Sequence, residues 1–157
     1  QKSLAKTSGR PGKTQLINHF LINKNWFLVD LPGYGYARVS KSAKKTFQKF
    51  ITAYFRERKQ LISAFVLVDI RHTPQTVDLA FMQWLGENGI PFSIIFTKAD
   101  KLGKVVLNKQ IEAYKSEMQK EWEELPETFI TSAEKKMGTQ EIADYIEKLN
   151  PHFKEVR

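Results

Sequence analysis

Apolar and polar residues follow two patterns along the chain: short continuous apolar runs, and longer stretches with helical spacing. Residues 14–22 and Trp26–Asp30 are β-rich runs separated by Asn-Lys-Asn, which predicts a hairpin. Residues 64–70 and 91–100 contain continuous apolar runs, as expected for strands that are buried on both faces. A shorter run at residues 128–133 predicts one further strand.

Helical spacing predicts four helices, over residues 42–60 (capped by Ser42), 76–88, 107–124 and 138–150. In the first helix, five apolar residues are expected to face the core: Phe47, Phe50, Ile51, Tyr54 and Phe55. Strands that alternate with helices indicate an α/β fold with a largely parallel sheet. The chain shows no linker and no repeat, so we expect a single domain over residues 1–157.

Composition is that of a globular protein, with hydrophobic residues at 41% and charged residues at 27%. The chain has no cysteine, which excludes disulfides and thiolate metal sites and suits a cytoplasmic protein. No apolar run approaches the roughly 20 residues that a membrane-spanning helix needs, so we expect no membrane partner.

The net charge of +8 is unevenly distributed. Residues 1–60 contain 13 Lys and Arg against only Asp30 and Glu57, a charge of +11, whereas residues 61–157 carry −3. A charge excess can be a solvated surface. A one-sided block of this size also favours a polyanionic partner, and nucleic acid is the obvious one.

The segment Gly12-Lys13-Thr14 has the ending of a phosphate-binding P-loop but fails two tests for one. The first glycine of the motif is replaced by Thr7, and a predicted strand follows Thr14 where a P-loop requires a helix. These residues therefore need another explanation.

Two later motifs supply that explanation. Asp30, Leu31, Pro32 and Gly33 follow a predicted strand and match the D-x-x-G of GTPases, in which the carboxylate holds Mg²⁺ through water and the glycine N–H meets the γ-phosphate. A second motif consists of Thr97, Lys98, Ala99 and Asp100. It matches the [NT]-K-x-D of guanine recognition, since a carboxylate can accept hydrogen bonds from guanine N1–H and N2–H₂ and the lysine stem can cover the base plane.

A third segment, Thr131-Ser132-Ala133, follows the next strand and matches the backbone element that contacts guanine O6. All three segments come at the carboxyl ends of successive strands, where open α/β sheets bind ligands. This order identifies Gly12-Lys13-Thr14 as a switch I segment, whose threonine can ligate Mg²⁺.

The stretches "PGKTQ", "DLPGYGYA", "VDIRHTPQTVD" and "FTKADKL" resemble the EngB (YihA/YsxC) family of ribosome-biogenesis GTPases, in family order over nearly the whole chain. The resemblance implies a Ras-like P-loop GTPase fold with helices on both faces of a mostly parallel sheet. It also implies GTP or GDP as ligand, Mg²⁺ as cofactor, and a bacterial cytoplasmic protein that assists assembly of the large ribosomal subunit and is associated with cell division and septation. The expected partner is the large subunit and its rRNA; we expect a monomer and no DNA partner.

The resemblance also implies roles for particular residues. Thr14 and, through water, Asp30 would hold the metal. The nucleotide would be contacted by the following residues: Gly12, Lys13, Thr14, Gln15, Leu16, Asp30, Leu31, Pro32, Gly33, Thr97, Lys98, Ala99, Asp100, Thr131, Ser132 and Ala133.

The family's P-loop and its strand are expected upstream of Gln1, so the domain is predicted to be incomplete at its N-terminus. The chain that begins at Gln1 is therefore expected to be unstable and to bind GTP weakly or not at all. Hydrolysis is expected to be slow without the ribosome or an activator, because Tyr34 stands where many GTPases place a catalytic Gln. No residue is identified as catalytic.

Some alternatives stay open at this point. Arg71 could position a switch, contact RNA or form a salt bridge, and Tyr34 and Tyr36 could pack locally or contact a partner. An ATPase is disfavoured by Asp100. The alternative function is a nucleotide-independent RNA- or ribosome-binding module that uses the basic N-terminal block.

Overall fold

The computed structural model of this chain describes the backbone of residues 17–33 and 41–154, and the side chains of 17–33 and 49–150. The chain divides into two compact units, Gln1–Glu57 and Arg58–Arg157. Within the described residues the strands form two sheets, one antiparallel pair in the first unit and one parallel three-stranded sheet in the second.

The N-terminal unit contains the predicted hairpin. Strand β1 (Asn18–Ile22) pairs antiparallel with β2 (Trp26–Asp30), so that Ile22 faces Trp26 and Asn18 faces Asp30. The turn between them places Asn23 and Lys24 in the left-handed region, with φ of 48° and 57°. Strand β1 begins later than the predicted residue 14; residues 14–16 lie outside the described part of the chain.

Helix α1 (Lys41–Glu57) includes Ser42 and ends three residues before the predicted 60. The side chain of Ser42, on which the predicted cap depends, lies outside the described part of the chain.

The predicted apolar face of α1 is confirmed in part; Tyr54 is half-buried, and the side chain of Phe47 lies outside the described residues. Ile51 and Phe55 are buried, but Phe50 is 45% exposed. Residues four apart lie on one face of a helix, so Ile51 and Phe55 share a stripe that Phe50 flanks.

The C-terminal unit has the predicted α/β order. Strand β3 (Ala64–Asp69) is followed by α2 (Thr76–Glu87), β4 (Phe92–Thr97) and a short 3₁₀ turn at Ala99–Lys101. Helix α3 (Lys104–Met118), β5 (Thr128–Ile130) and α4 (Thr139–Lys154) complete the unit. The strands lie in the order β3-β4-β5, and both pairings are parallel.

Helices cover both faces of this sheet. Tyr145 of α4 accepts a hydrogen bond from Ser93 of β4 at 3.2 Å and packs its ring against Phe65 and Phe129. Phe96 of β4 packs instead against Tyr114 of α3, with ring centroids 5.3 Å apart. Because successive residues of a strand point to opposite faces, Ser93 and Phe96 lie on opposite sides, and so do the two helices.

The central strand β4 is buried on both faces as predicted, but β3 is not. Val66 and Val68 are each 2% exposed, whereas Leu67 between them is 63% exposed. Strand β3 lies at the edge of the described sheet, and α4, the helix on the face of Leu67, contacts it through Phe65.

Several predicted boundaries were wrong in the second half of the chain, including both ends of α3, the end of β5, and the end of α4, which continues to Lys154 and not only to residue 150. Helix α3 occupies Lys104–Met118 rather than 107–124, because a turn closed by Glu121 N–H and Met118 O ends it and directs Trp122 against Gly86 and Phe92. Strand β5 ends at Ile130, so residues 131–133 form a loop and not part of the strand. Among the described residues, no helix is long and apolar enough to cross a membrane.

Candidate functional site

The carboxyl ends of the three parallel strands bring together residues 97–100 and 131–133, the segments predicted to contact guanine, which we call the base-side segments. Asp69 and Thr97, which end β3 and β4, are register partners, and β5 runs parallel beside β4. The loops that follow contain the predicted segments 97–100 and 131–133. Parallel strands end at one edge of a sheet, which is where α/β proteins bind their ligands.

Short hydrogen bonds join these loops to each other and to the sheet. Thr131 donates its N–H to Phe96 O at 2.7 Å and its hydroxyl to the same oxygen at 3.1 Å. The N–H of Ala99 donates to Thr131 O at 3.1 Å, and the Thr97 hydroxyl donates to Val68 O at 3.0 Å. Both threonine hydroxyls therefore anchor the edge of the site to the sheet.

The Asp100 carboxylate is held from two sides. The Ser132 hydroxyl donates to Oδ1 at 2.5 Å, and the Lys101 ammonium lies 3.3 Å from Oδ2. The hydrogen bond from Ser132 lowers the pKa of Asp100 below its ordinary value, with a further contribution from Lys101, so the group is ionised at neutral pH. A carboxylate has about four acceptor sites, so two remain for outside donors.

Ser132 is itself buried and fixed by its own loop. Its Oγ accepts the Lys135 N–H at 3.0 Å, and its backbone pairs with Met137 in both directions. The loop ends at Gly138, whose φ is 78°. A Cβ at this position would lie 2.2 Å from Ile130 O, so the turn requires glycine.

Lys98 is turned across the edge of the sheet toward β3. Its backbone is left-handed, with φ of 61°, a conformation that costs a non-glycine residue about 1–2 kcal/mol. Its Nζ lies 2.7 Å from Oδ2 of Asp69, and its side chain is half exposed. The lysine predicted to cover the base plane is therefore held by a carboxylate from the neighbouring strand.

Asp69 is a site residue that the sequence reasoning missed. Arg71 donates its Nε to Oδ1 at 2.8 Å and its terminal nitrogen to Oδ2 at 2.6 Å, which confirms the salt-bridge alternative for Arg71. This pairing, and then Lys98, holds the pKa of Asp69 far below its ordinary value against the opposing effect of burial. The signal available in the sequence was an acidic residue at the end of an apolar run, two positions before an arginine.

The predicted phosphate-side residues belong to the N-terminal unit. Asp30 ends β2 with an exposed side chain, Leu31 is half-buried, Pro32 is buried and Gly33 is exposed. The other predicted residues of this side lie outside the described part of the chain: Gly12, Lys13, Thr14, Gln15 and Leu16. Tyr34 and Tyr36 also lie outside it.

Asp30 suits the predicted water-mediated contact to Mg²⁺, because an exposed carboxylate can accept hydrogen bonds from metal-bound water. No group of three or more His, Cys, Asp or Glu residues is arranged for direct metal binding among residues 17–33 and 49–150, whose side chains the structure describes. His72 is exposed and donates its N–H to Asp69 O at 3.2 Å.

Comparison with known proteins decides the family. The family model described as 50S ribosome-binding GTPase matches residues 1–98. A probable GTP-binding protein EngB from Christiangramia forsetii is 69% identical over 150 residues, which cover 96% of this chain and 76% of that protein. The chain belongs to the EngB family of P-loop GTPases.

Other EngB proteins and solved structures agree. The EngB protein of Porphyromonas gingivalis strain W83 is 59% identical over 96% of this chain and 75% of its own length. A crystal structure of a probable GTP-binding protein EngB superposes with a TM-score of 0.67 at 22% identity, over 87% of this chain and 82% of that one. The structure of elongation factor SelB from Methanococcus maripaludis in complex with a GTP analogue superposes with a TM-score of 0.64 at 18% identity. That match covers 85% of this chain and 27% of the SelB chain.

These findings confirm the EngB family, its guanine-nucleotide binding and the Ras-like GTPase fold that the resemblance predicted. The assignment of individual contact residues stays a prediction, and so does the single-domain organisation. In this EngB-family chain, hydrogen bonds and an ion pair connect the base-side segments into one network at the edge of the sheet.

Proposed function

We propose that this protein is a guanine-specific GTPase that acts as a switch in assembly of the large ribosomal subunit. The observation that carries the proposal is the Asp100 carboxylate, fixed by Ser132 and Lys101 at the carboxyl edge of the sheet. Its position after β4 and its remaining acceptor capacity suit the two donors of the guanine edge, N1–H and N2–H₂.

Discrimination against adenine follows from this arrangement. Adenine has no donor at the positions of guanine N1–H and N2–H₂, so it would leave the two remaining acceptor sites of the fixed carboxylate unfilled. A desolvated acceptor that finds no donor costs binding free energy, and sites built around such a pairing reject the wrong ligand strongly. Thr131, Ser132 and Ala133 would approach guanine O6 with their backbone, in a loop that Ser132 and Gly138 hold in place.

For hydrolysis, Thr14 and, through water, Asp30 would hold Mg²⁺, which neutralises charge on the β- and γ-phosphates when bound. Gly33 would direct its N–H to the γ-phosphate, and Gly12, Lys13, Gln15 and Leu16 would belong to the same switch. We expect slow hydrolysis without an activator, because Tyr34 replaces the glutamine that orients water in many GTPases.

The proposed partner is the rRNA of the large ribosomal subunit in the cytoplasm, with a consequent effect on cell division. Two observations support it: the +11 charge of residues 1–60, and the matching family model, whose description is a 50S ribosome-binding GTPase. A basic block of this size suits phosphate contacts, which make binding depend steeply on salt.

Guanine specificity is tested by Asp100→Asn in the full-length protein, with GDP and xanthosine diphosphate titrated by calorimetry. The variant should lose on the order of 10²-fold in GDP affinity and gain preference for xanthosine diphosphate. The matched control is Asp144→Asn, because Asp144 is an exposed carboxylate on α4 that accepts a hydrogen bond from Gln140. Unchanged GDP affinity in Asp100→Asn would overturn the proposal.

The ribosomal partner is tested by the salt dependence of binding to purified large subunits. A log–log slope of several units is expected, and charge reversal at four lysines of α1 should flatten it: Lys41, Lys44, Lys45 and Lys49. The control set reverses the same number of charges in the C-terminal unit: Lys104, Lys109, Lys120 and Lys148. Equal slopes for the two sets would show that the basic block has no specific role.

A further inference from the structure

Asp69 connects two loops of the base-side edge through one carboxylate. Its Oδ2 receives both the Lys98 ammonium at 2.7 Å and the terminal nitrogen of Arg71 at 2.6 Å, and its Oδ1 accepts the Arg71 Nε at 2.8 Å. The Arg71 N–H adds a fourth contact to Oδ1 at 3.2 Å. Lys98 lies 29 residues away in sequence, so tertiary structure alone brings the pair together.

The contact matters because it orders a flexible side chain. A lysine side chain has many rotamers, and a ligand that must immobilise it loses about 3- to 10-fold in affinity. With its Nζ held by Asp69, the Lys98 stem has a fixed direction before any ligand arrives. The side chain of Lys98 remains 51% exposed, so its methylene stem is available to cover an apolar ring surface.

We propose that Asp69 is a positioning residue for nucleotide binding, which acts by holding Lys98 where its stem covers the plane of the base. This inference rests on the proposed role of residues 97–100 in guanine binding. Ala99, which separates Lys98 from Asp100, is 2% exposed and donates its N–H to Thr131 O, so both flanking side chains project from a fixed backbone. Asp100 then pairs with the edge of the base, and Asp69 holds the lysine whose stem covers the face of the base.

Arg71 has a secondary role in this arrangement. Its guanidinium pairs with both oxygens of Asp69 and so fixes the plane of the carboxylate that Lys98 meets. Without Arg71 the Asp69–Lys98 ion pair can still form, but the plane of the Asp69 carboxylate is no longer fixed. The effect of losing Arg71 on nucleotide affinity should therefore be smaller than that of losing Asp69.

The face of a base is common to all purines, whereas its edge is not. Removing Asp69 should therefore weaken GDP, inosine diphosphate and xanthosine diphosphate by the same factor and leave their ratios unchanged. Changes at Asp100 should alter those ratios. This difference separates the two residues experimentally.

The test measures the three nucleotide affinities of full-length Asp69→Asn by calorimetry, beside Arg71→Gln and Lys98→Ala. Two double variants are measured with them: Asp69→Asn/Lys98→Ala and Arg71→Gln/Lys98→Ala. Asp69→Asn should lose about 3- to 10-fold in affinity for each nucleotide, as expected for ordering one lysine side chain. In the Lys98→Ala background the same change should have no further effect. Arg71→Gln should lose less, and it provides a second folded variant with the Asp69–Lys98 pair disturbed. Thermal unfolding confirms that each variant is folded.

Three results would overturn the inference: a folded Asp69→Asn variant within about 2-fold of the parent, a shift in nucleotide ratios, or an equal loss in the Lys98→Ala background. If Asp69→Asn does not fold, an Arg71→Gln variant whose loss persists without Lys98 overturns it. Failure of the proposed function has a different signature, since Asp100→Asn would then leave the GDP to xanthosine diphosphate ratio unchanged.

Discussion

The Ser132 hydroxyl donates a 2.5 Å hydrogen bond to Oδ1 of Asp100, and this side-chain contact connects the loop after β5 to the loop after β4. The two residues are 32 positions apart in sequence. Ser132 is 1% exposed, and its oxygen also accepts the Lys135 N–H. One buried hydroxyl therefore fixes both the Asp100 carboxylate and the loop beside it.

Replacing Ser132 with alanine should weaken both stability and GDP binding. The change leaves the Lys135 N–H and one Asp100 oxygen without their partner, which should cost about 1–3 kcal/mol in unfolding free energy. Denaturant unfolding and calorimetric GDP titration measure the two effects. Ser63→Ala is the control, because Ser63 makes one longer bond, 3.3 Å to Pro91 O, away from this loop. Equal results for the two variants would contradict the role assigned to Ser132.

Two glycines with positive φ should respond differently to alanine. Gly89 (φ 65°) has no atom within 4 Å of an added Cβ, whereas at Gly138 (φ 78°) that atom would meet Ile130 O at 2.2 Å. Gly89→Ala should cost about 1–2 kcal/mol from its left-handed backbone alone. Gly138→Ala should cost more, and it alone should reduce GDP affinity because the loop of residues 131–133 must move. Similar stability and binding for the two variants would refute the loop geometry.

In helix α2, Gly86→Ala should destabilise the protein although alanine normally favours a helix by about 1 kcal/mol. The added Cβ would lie 2.5 Å from Cη2 of Trp122, so the indole must move from its place beside Phe92. Unfolding curves and tryptophan fluorescence measure the effect. In a Trp122→Ala background the same change should become stabilising, and an unchanged sign there would show that the indole is not the obstacle.

The ion pairs of Asp69 should make stability depend on pH. Its pKa is lower in the folded than in the unfolded protein, so the pairs stabilise the fold above the ordinary aspartate pKa of 3.8. That contribution falls as pH drops below about 4 and the carboxylate takes up a proton. Asp69→Asn should therefore cost about 1–3 kcal/mol at neutral pH and progressively less in acid. Asp144→Asn should show a small difference at every pH, and a pH-independent cost for Asp69→Asn would refute the ion-pair account.

Local sequence signals predicted the elements because the forces behind them are local. Asn-Lys-Asn between two β-rich runs was enough for the hairpin of β1 and β2, and Gly89 marked the end of α2. The first and last residues of the helices and strands were predicted less accurately. Helix α3 ends at Met118 because the following turn places Trp122 over Gly86, a contact between residues that helical periodicity does not relate.

The sequence alone determined the EngB resemblance, the parallel α/β order and the motifs of residues 97–100 and 131–133, because strand ends and glycine-bearing turns depend on nearby residues. Tertiary structure decided which contacts the side chains of those motifs make. The pairing of Ser132 with Asp100 and of Lys98 with Asp69 arises only when β3, β4 and β5 align in parallel. Exposure of Leu67 on an apolar strand was decided in the same way, since burial depends on which element covers a face and not on the strand's own residues.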